Sequence, residues 1–521
     1  MTRFKSLIPI VMLVINAAVS HAQEEHVQIK WGDQGNGTYI NPVLNADYSD
    51  PDVIRVGDKY YMVASDFHFM GMQVLESEDM VNWKLISQIY DRFNLPMWDS
   101  NRRYAGGSWA PSIRYHDNKF WVYFCTPHEG LFMSVASDPH GPWSELHCVK
   151  AVEKWEDPCP LWDDDGQAYL AHSLHGAGPI IIHKMSQDGR ELLDDGVTVY
   201  RGPVAEGPKL HKLNGYYYIS IPEGGVSGGW QTILRSRNIY GPYENKRVLE
   251  TGTTKINGPH QGSLVETKGG EWWFYHFQET HPLGRVVHLQ PASWKDDWPV
   301  IGVDYDGNGV GEPVSVWNKP DIRLKHTITP APPQTSDDFS NPEKSLQWQW
   351  NHNPHDSYWS LSEKNGWMTI HAQKADMLSM AHNMLTQKCT GFIGAAATLL
   401  DLSGMENGQR AGLLAIGNMF YGIGVLKKDG KLYLYVDENG QATRLLEISQ
   451  DTICLSVSYD AHENVFRFSY GKDKDNLESY GDEFSLRSGF WKGARIGLYT
   501  YNVERDAGSA SFDWFDYPVV M

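Results

Sequence analysis

A repeat constrains this chain more than any other feature. Five aromatic, β-prone runs, "KYYMVAS", "KFWVYFC", "QAYLAHS", "GYYYISI" and "EWWFYHF", begin at residues 59, 119, 167, 215 and 271. Each follows a turn of the "VGD", "HDN", "DDDG", "KLN" or "KGG" kind. Most lead into a further strand and a turn ending in Trp or Tyr, as in "SEDMVNW", "ASDPHGPW" and "SRNIYGPY". Units of about four strands at a period near 50 residues mark propeller blades, since one small sheet buries its faces only when neighbours stack on it. Five units predict an all-β chain that opens with a five-bladed β-propeller over residues 36–325.

A second element recurs just before each run: "SDPDVI" at 49–54, "WAPSIR" at 109–114, "EDPCPL" at 156–161, "EGPKLH" at 206–211 and "HQGSLV" at 260–265. The first strand of each blade lines the central channel, so these segments converge on one axis. Asp50, Trp109, Asp157, Glu206 and His260 are therefore expected in one pocket. Acidic residues beside Pro also shape strand entries, but three carboxylates at matched places in a repeat favour a site. Glycosidic bond cleavage needs two facing carboxylates, one to protonate the departing oxygen and one to activate water. A third nearby raises the pKa of the acid by like-charge repulsion and helps to orient it.

The blocks "INPVLNADYSDPDVIRVGDKYYMVAS", "GGSWAPSIRYHDNKFWVYF", "WEDPCPLWDDDG", "AEGPKLHKLNGYYY" and "NGPHQGSLVETKGGEWWFYHFQ…GRVVHLQP" resemble glycoside hydrolase family 43 over roughly residues 38–320. The resemblance implies a five-bladed propeller and three site carboxylates. Asp50 matches the family's general base, Asp157 the carboxylate that tunes and orients the acid, and Glu206 the general acid. It also implies inversion at the anomeric centre, for which the two working carboxyls stand about 6.5–9.5 Å apart so that water fits between them. Asp52, two residues from Asp50, would share its face on a regular strand, although the proline register with Asp157 favours Asp50. Retaining fructan hydrolases of similar fold carry "RDP" and "EC" blocks, where this chain has "EDP" and "EG".

Other pocket positions follow from the same comparison. Trp109 is read either as a platform for a sugar face or as a propeller core aromatic, and Arg285 either as a contact to substrate hydroxyls or as an ion-pair partner. Relatives carry Gly-His before a small residue where this chain has "PHQG", which leaves open whether His260 or Gln261 enters the channel. Phe67, with His68 and Phe69, forms either the pocket wall or plain core. The substrate implied is a neutral plant cell-wall polysaccharide or oligosaccharide carrying terminal α-L-arabinofuranose or β-D-xylose, two sugars that the sequence does not separate. An endo-acting arabinanase and a catalytically silent sugar-binding propeller are the alternatives.

A Pro- and Thr-rich linker over residues 326–336 separates the propeller from short alternating runs such as "AGLLAIG", "KLYLYVD" and "RIGLYTYN". These predict a β-sandwich over residues 337–521, resembling the lectin-like, concanavalin-type jelly roll that follows the propeller in family xylosidases and arabinofuranosidases. In those relatives a structural calcium joins residues matching Asp338 and Asp513, and the sandwich closes one side of the pocket. Residues 348–359, "WQWNHNPHDSYW", are the candidate closing loop. No cofactor is expected for the chemistry. Asp304, Asp306 and Asn308 have calcium-loop spacing but Ser315 at the twelfth position, so they read as a Gly-rich hairpin.

The first 22 residues place Arg3 and Lys5 before an apolar stretch and a small-residue cleavage pattern, which predicts a signal peptide and an exported, periplasmic or extracellular protein. No later stretch has the length of a membrane span. A net charge of -19 makes nucleic acid a poor partner. Five scattered cysteines argue against a disulfide framework, with one bridge left open.

Overall fold

The computed structural model describes residues 31–519 apart from 96 and 101, so the signal peptide expected over residues 1–22 lies outside the described residues. Five antiparallel four-stranded sheets succeed one another along the chain, each built from consecutive strands. Their first strands are Ser49–Val56, Trp109–His116, Trp155–Trp162, Lys209–Leu213 and His260–Glu266. Neighbouring blades pack around a closed ring. The five aromatic runs of the repeat are the second strands.

The ring closes without exchanging a strand between its first and last blades. Thr38–Ile40 instead pairs with Val316–Asn318 in a short ribbon. The Val53 N–H donates to Ser263 Oγ at 2.7 Å, and the Tyr275 hydroxyl donates to the Met80 carbonyl at 2.6 Å. Buried polar groups satisfied across the seam fix the angle between these two blades.

Two seven-stranded sheets form the C-terminal sandwich. One apolar core runs from the first two blades, through Val63, Val122 and Phe124, into Leu385, Leu413 and Phe512 of the sandwich. Two buried lysines reinforce that junction. Lys388 Nζ lies 3.1 Å from Asp66, and Lys492 Nζ lies 2.6 Å from Asp47 while donating to the Ser65 carbonyl at 2.9 Å. Losing one partner of such a pair typically costs about 3–5 kcal/mol, so the sandwich is held in one position on the propeller.

Residues 348–359 do not close the pocket. Trp348 and Trp350 are core, and His352 packs on His68 with its N–H donating to the His68 carbonyl at 2.9 Å. The segment braces the back of the wall that Phe67 fronts. The pairing that ties the start of the sandwich to its last strand is made by Asp337, which exchanges backbone hydrogen bonds of 3.0 and 2.8 Å with Phe515. All five cysteines are free. In the Asp304 loop the carboxylates accept from the loop's own amides at Gly307, Asn308 and Gly309, as a hairpin turn does.

Candidate active site

Alternation along a strand would send Glu156 and Asp157 to opposite faces. They share the pocket because the first strand is bulged just there. The pairing register shifts between Ser49 and Asp52, Trp109 and Ser112, Glu156 and Cys159, and His260 and Gly262. The second residue of each repeated hexapeptide has a left-handed backbone: Asp50 at φ 55°, Ala110 at 34°, Asp157 at 60°, Gly207 at 59° and Gln261 at 36°. Such a conformation is unfavourable for residues other than glycine, and its recurrence at one place in every blade marks a functional constraint. The five predicted channel residues thus occupy two adjacent positions. Asp50 and Asp157 sit at the bulge, whereas Trp109, Glu206 and His260 stand one residue earlier.

Each bulge aspartate is held by the blade's own second strand. Ser65 Oγ donates to Asp50 Oδ2 at 2.6 Å, and Ser173 Oγ donates to Asp157 Oδ2 at 2.6 Å. These serines end the repeat runs "KYYMVAS" and "QAYLAHS", and only the two blades with a bulge aspartate have one there. The next blade adds a backbone donor. Ala110 N–H donates to Ser65 Oγ at 2.6 Å, and Gly207 N–H donates to Asp157 Oδ2 at 2.8 Å. Gly207 is required, since a Cβ would stand 2.7 Å from Gln261 Cγ in a backbone already at positive φ.

The remaining side chains complete three carboxylate stations. Arg285 donates from one guanidinium nitrogen to Asp50 Oδ1 at 2.9 Å and to Ser49 Oγ at 3.1 Å, so its main contact is an ion pair with the expected base. Both His260 and Gln261 enter the channel. His260 Nε2 lies 2.8 Å from Glu206 Oε1, and Gln261 donates to Asp157 Oδ1 at 3.1 Å. Asp52 stays out of the pocket, buried against Arg114 at 2.6 Å and the Ile113 N–H at 2.9 Å. The bulge is what separates it from Asp50.

These residues line a cavity of about 340 Å³ with Phe67 and Trp109 on one wall. His68 and Phe69 lie behind that wall in the core. Among the lining residues not expected from the sequence are Glu156, His175 and Trp491. Glu156 opens the third hexapeptide as Glu206 opens the fourth, so the repeat itself carried that signal. Trp491 comes from the sandwich, half-exposed, with its ring 5.9 Å from the Arg285 guanidinium. It is the sandwich's contribution to the pocket. Trp491→Ala is expected to lower kcat/KM three- to tenfold, mostly through KM, with an unchanged melting temperature. That loss matches about 0.5–1.5 kcal/mol for an aromatic contact, and steady-state kinetics beside a thermal melt would check it.

Electrostatics couples the acidic side chains. Glu156, Asp157 and Glu206 each present an oxygen within 4.8 Å of the others. Burial, then the charges of Asp157 and Glu206, push the Glu156 carboxyl up to about 9. Burial and Glu206 push Asp157 up to about 6. For Glu206 burial also pulls upward, but the hydrogen bond and charge of His260, with Arg285 and His175 beyond, outweigh it and hold this carboxyl below its usual range. Among the described residues this trio is the only group of three acidic, His or Cys side chains close enough to share a cation. Asp338 and Asp513 do not gather into one. Asp338 is turned onto the N–H and hydroxyl of Ser340, at 3.0 and 2.6 Å, and Asp513 is only part-buried in the last strand.

Comparison with known proteins places the chain in a family. The family model for glycosyl hydrolases family 43 matches residues 39–299, and that for the beta xylosidase C-terminal concanavalin A-like domain matches residues 336–518. A Xylanibacter ruminicola relative is 57% identical across 90% of this chain and 88% of its own length. A beta-xylosidase of Formosa agariphila is 36% identical across 94% of this chain and 91% of its own. A non-reducing end alpha-L-arabinofuranosidase of Bacteroides ovatus is 28% identical across 92% and 94%. The crystal structure of the GH43 protein BlXynB from Bacillus licheniformis superposes with a TM-score of 0.81 at 26% identity, covering 92% of this chain and 99% of that one. The chain belongs to glycosyl hydrolases family 43 and is a glycoside hydrolase, a five-bladed propeller followed by a concanavalin-like sandwich.

Proposed function

We propose that this protein is an exported, exo-acting, inverting glycoside hydrolase. It removes terminal β-D-xylosyl or α-L-arabinofuranosyl residues from plant cell-wall polysaccharides or oligosaccharides. The observation that carries the reading is the placement of Asp50 and Glu206 on non-adjacent blades, each lining one cavity with its own hydrogen-bond partners. Glu206 gives its proton to the glycosidic oxygen as the bond to the anomeric carbon breaks. Asp50, which accepts from Arg285 and Ser65, takes a proton from the water that attacks the same carbon from the other face. Asp157, fixed by three donors, orients Glu206 and adds a like charge beside it.

The cavity lies near the lower end of the roughly 300–1,000 Å³ usual for ligand pockets, and Trp491 stands at it from the sandwich. This supports removal of a terminal sugar over endo cleavage, which needs an open groove. β-D-xylose is the favoured sugar, in keeping with the beta-xylosidase name of the F. agariphila relative. The purified chain is expected to release free sugar from aryl β-D-xyloside faster than from aryl α-L-arabinofuranoside. Release from neither by folded protein would overturn the reading.

A further inference from the structure

The pocket holds a fourth carboxyl that the mechanism above leaves without a task. Glu156 is 6% exposed, and its Oε1 is buried with no hydrogen-bond partner. Its Oε2 lies 3.4 Å from Nδ1 of His175 at the pocket wall. Glu156 and Glu206 occupy the same repeat position on adjacent blades, which is why their oxygens meet within 4.8 Å, with Asp157 between them in sequence register.

Three carboxyls that close, and shielded from water, do not all ionise, so the trio keeps a proton at neutral pH. Hydrogen bonding points to where it rests. Asp157 accepts from Ser173, Gly207 and Gln261, and Glu206 Oε1 is engaged by His260. A proton on Asp157 would displace a donor, and Glu206, with His260 at 2.8 Å, is more closely partnered than Glu156, with His175 at 3.4 Å. Glu156 Oε1 has no donor to lose. Yet general acid catalysis needs the proton on Glu206.

We propose that Glu156 is a proton-holding residue that charges Glu206, a role that rests on Glu206 being the general acid. The O–H bond on Glu156 breaks and one forms on Glu206, directly or through one water. Glu206 then passes that proton to the leaving oxygen as the glycosidic C–O bond cleaves, and the attacking water yields a proton to Asp50. After product leaves, Asp50 loses its proton to solvent and Glu156 regains one, so no proton is consumed overall. The groups facing Glu156 are Asp157, Glu206, Asp50, His175, His260 and Arg285. The push of burial and neighbouring charge on Glu156, up to about 9, agrees with the assignment.

The test is Glu156→Gln in the full chain, an isosteric change that keeps the side chain and removes the proton store. The pH profile of kcat/KM is measured on a xylo-oligosaccharide, which needs acid assistance, and on a dinitrophenyl xyloside, which does not. The expected result is a basic limb that falls at lower pH in the variant, with a loss of about tenfold or more at mildly alkaline pH on the oligosaccharide only. In parallel, an infrared difference spectrum between wild type and variant at neutral pH should contain the carbonyl band of a protonated carboxylic acid. Superimposable pH profiles, an equal loss on both substrates at every pH, or absence of the band would each overturn the proposal. A wild type that cleaves neither substrate would count against the glycosidase reading, while the infrared band would still decide where the proton rests.

Discussion

Glu206→Gln is expected to lower kcat/KM on xylo-oligosaccharides by about 10²–10⁴-fold, the usual contribution of a positioned general acid. On a dinitrophenyl xyloside the loss should stay below about tenfold. An alcohol leaving group departs poorly without a proton, whereas a dinitrophenolate departs unaided, so the effect follows the leaving group. The amide preserves the shape of the side chain and its contact with His260, now 2.8 Å from Glu206 Oε1. Kinetics across a series of leaving groups would therefore read the missing proton and not a collapsed pocket. A loss of equal size on every substrate would take the acid role away from Glu206.

Asp50→Asn should behave differently. Water activation is needed whatever leaves, so a loss of about 10²–10⁴-fold is expected on every substrate. The variant also strips Arg285 of its buried counterion at 2.9 Å, and an uncompensated buried charge is destabilising. A lower melting temperature should accompany the loss of activity. The same two variants, run side by side, give two distinct patterns, and it is the contrast between them that separates acid from base.

The propeller was legible because each blade carries its own signals: a turn, an aromatic run from Lys59, Lys119, Gln167, Gly215 or Glu271, and a closing aromatic turn. The two domains were legible from the Pro-rich segment between them. The bulge was not. Only the fourth blade announces it with a glycine, Gly207, while Asp50, Ala110, Asp157 and Gln261 adopt the same left-handed backbone without one. Reading each hexapeptide as a plain strand therefore merged two positions into one, kept Asp52 beside Asp50 as an option, and left Glu156 unnoticed next to Asp157. The serines Ser65 and Ser173 were in view at the ends of two repeat runs, but their purpose appears only once the bulge turns the aspartates toward them.

Contacts between domains were the least legible part. Trp491 reaches the pocket because Lys492 is anchored on Asp47 and on the Ser65 carbonyl, a contact some 440 residues apart in the chain that no local pattern encodes. The aromatic segment 348–359 resembles a pocket wall in composition but spends its rings on the core. In the "SDDF" segment one residue decides the outcome. Asp337 pairs with the last strand, whereas Asp338 faces outward onto Ser340.

The most direct test of the central claim, that Asp50 activates a water which attacks the anomeric carbon while Glu206 protonates the departing oxygen, is the configuration of the sugar first released. Proton NMR of xyloside hydrolysis by the wild type, recorded before mutarotation, should show the α-anomer of xylose appearing first from a β-xyloside. First appearance of the β-anomer would mean retention through a covalent intermediate and would contradict the account.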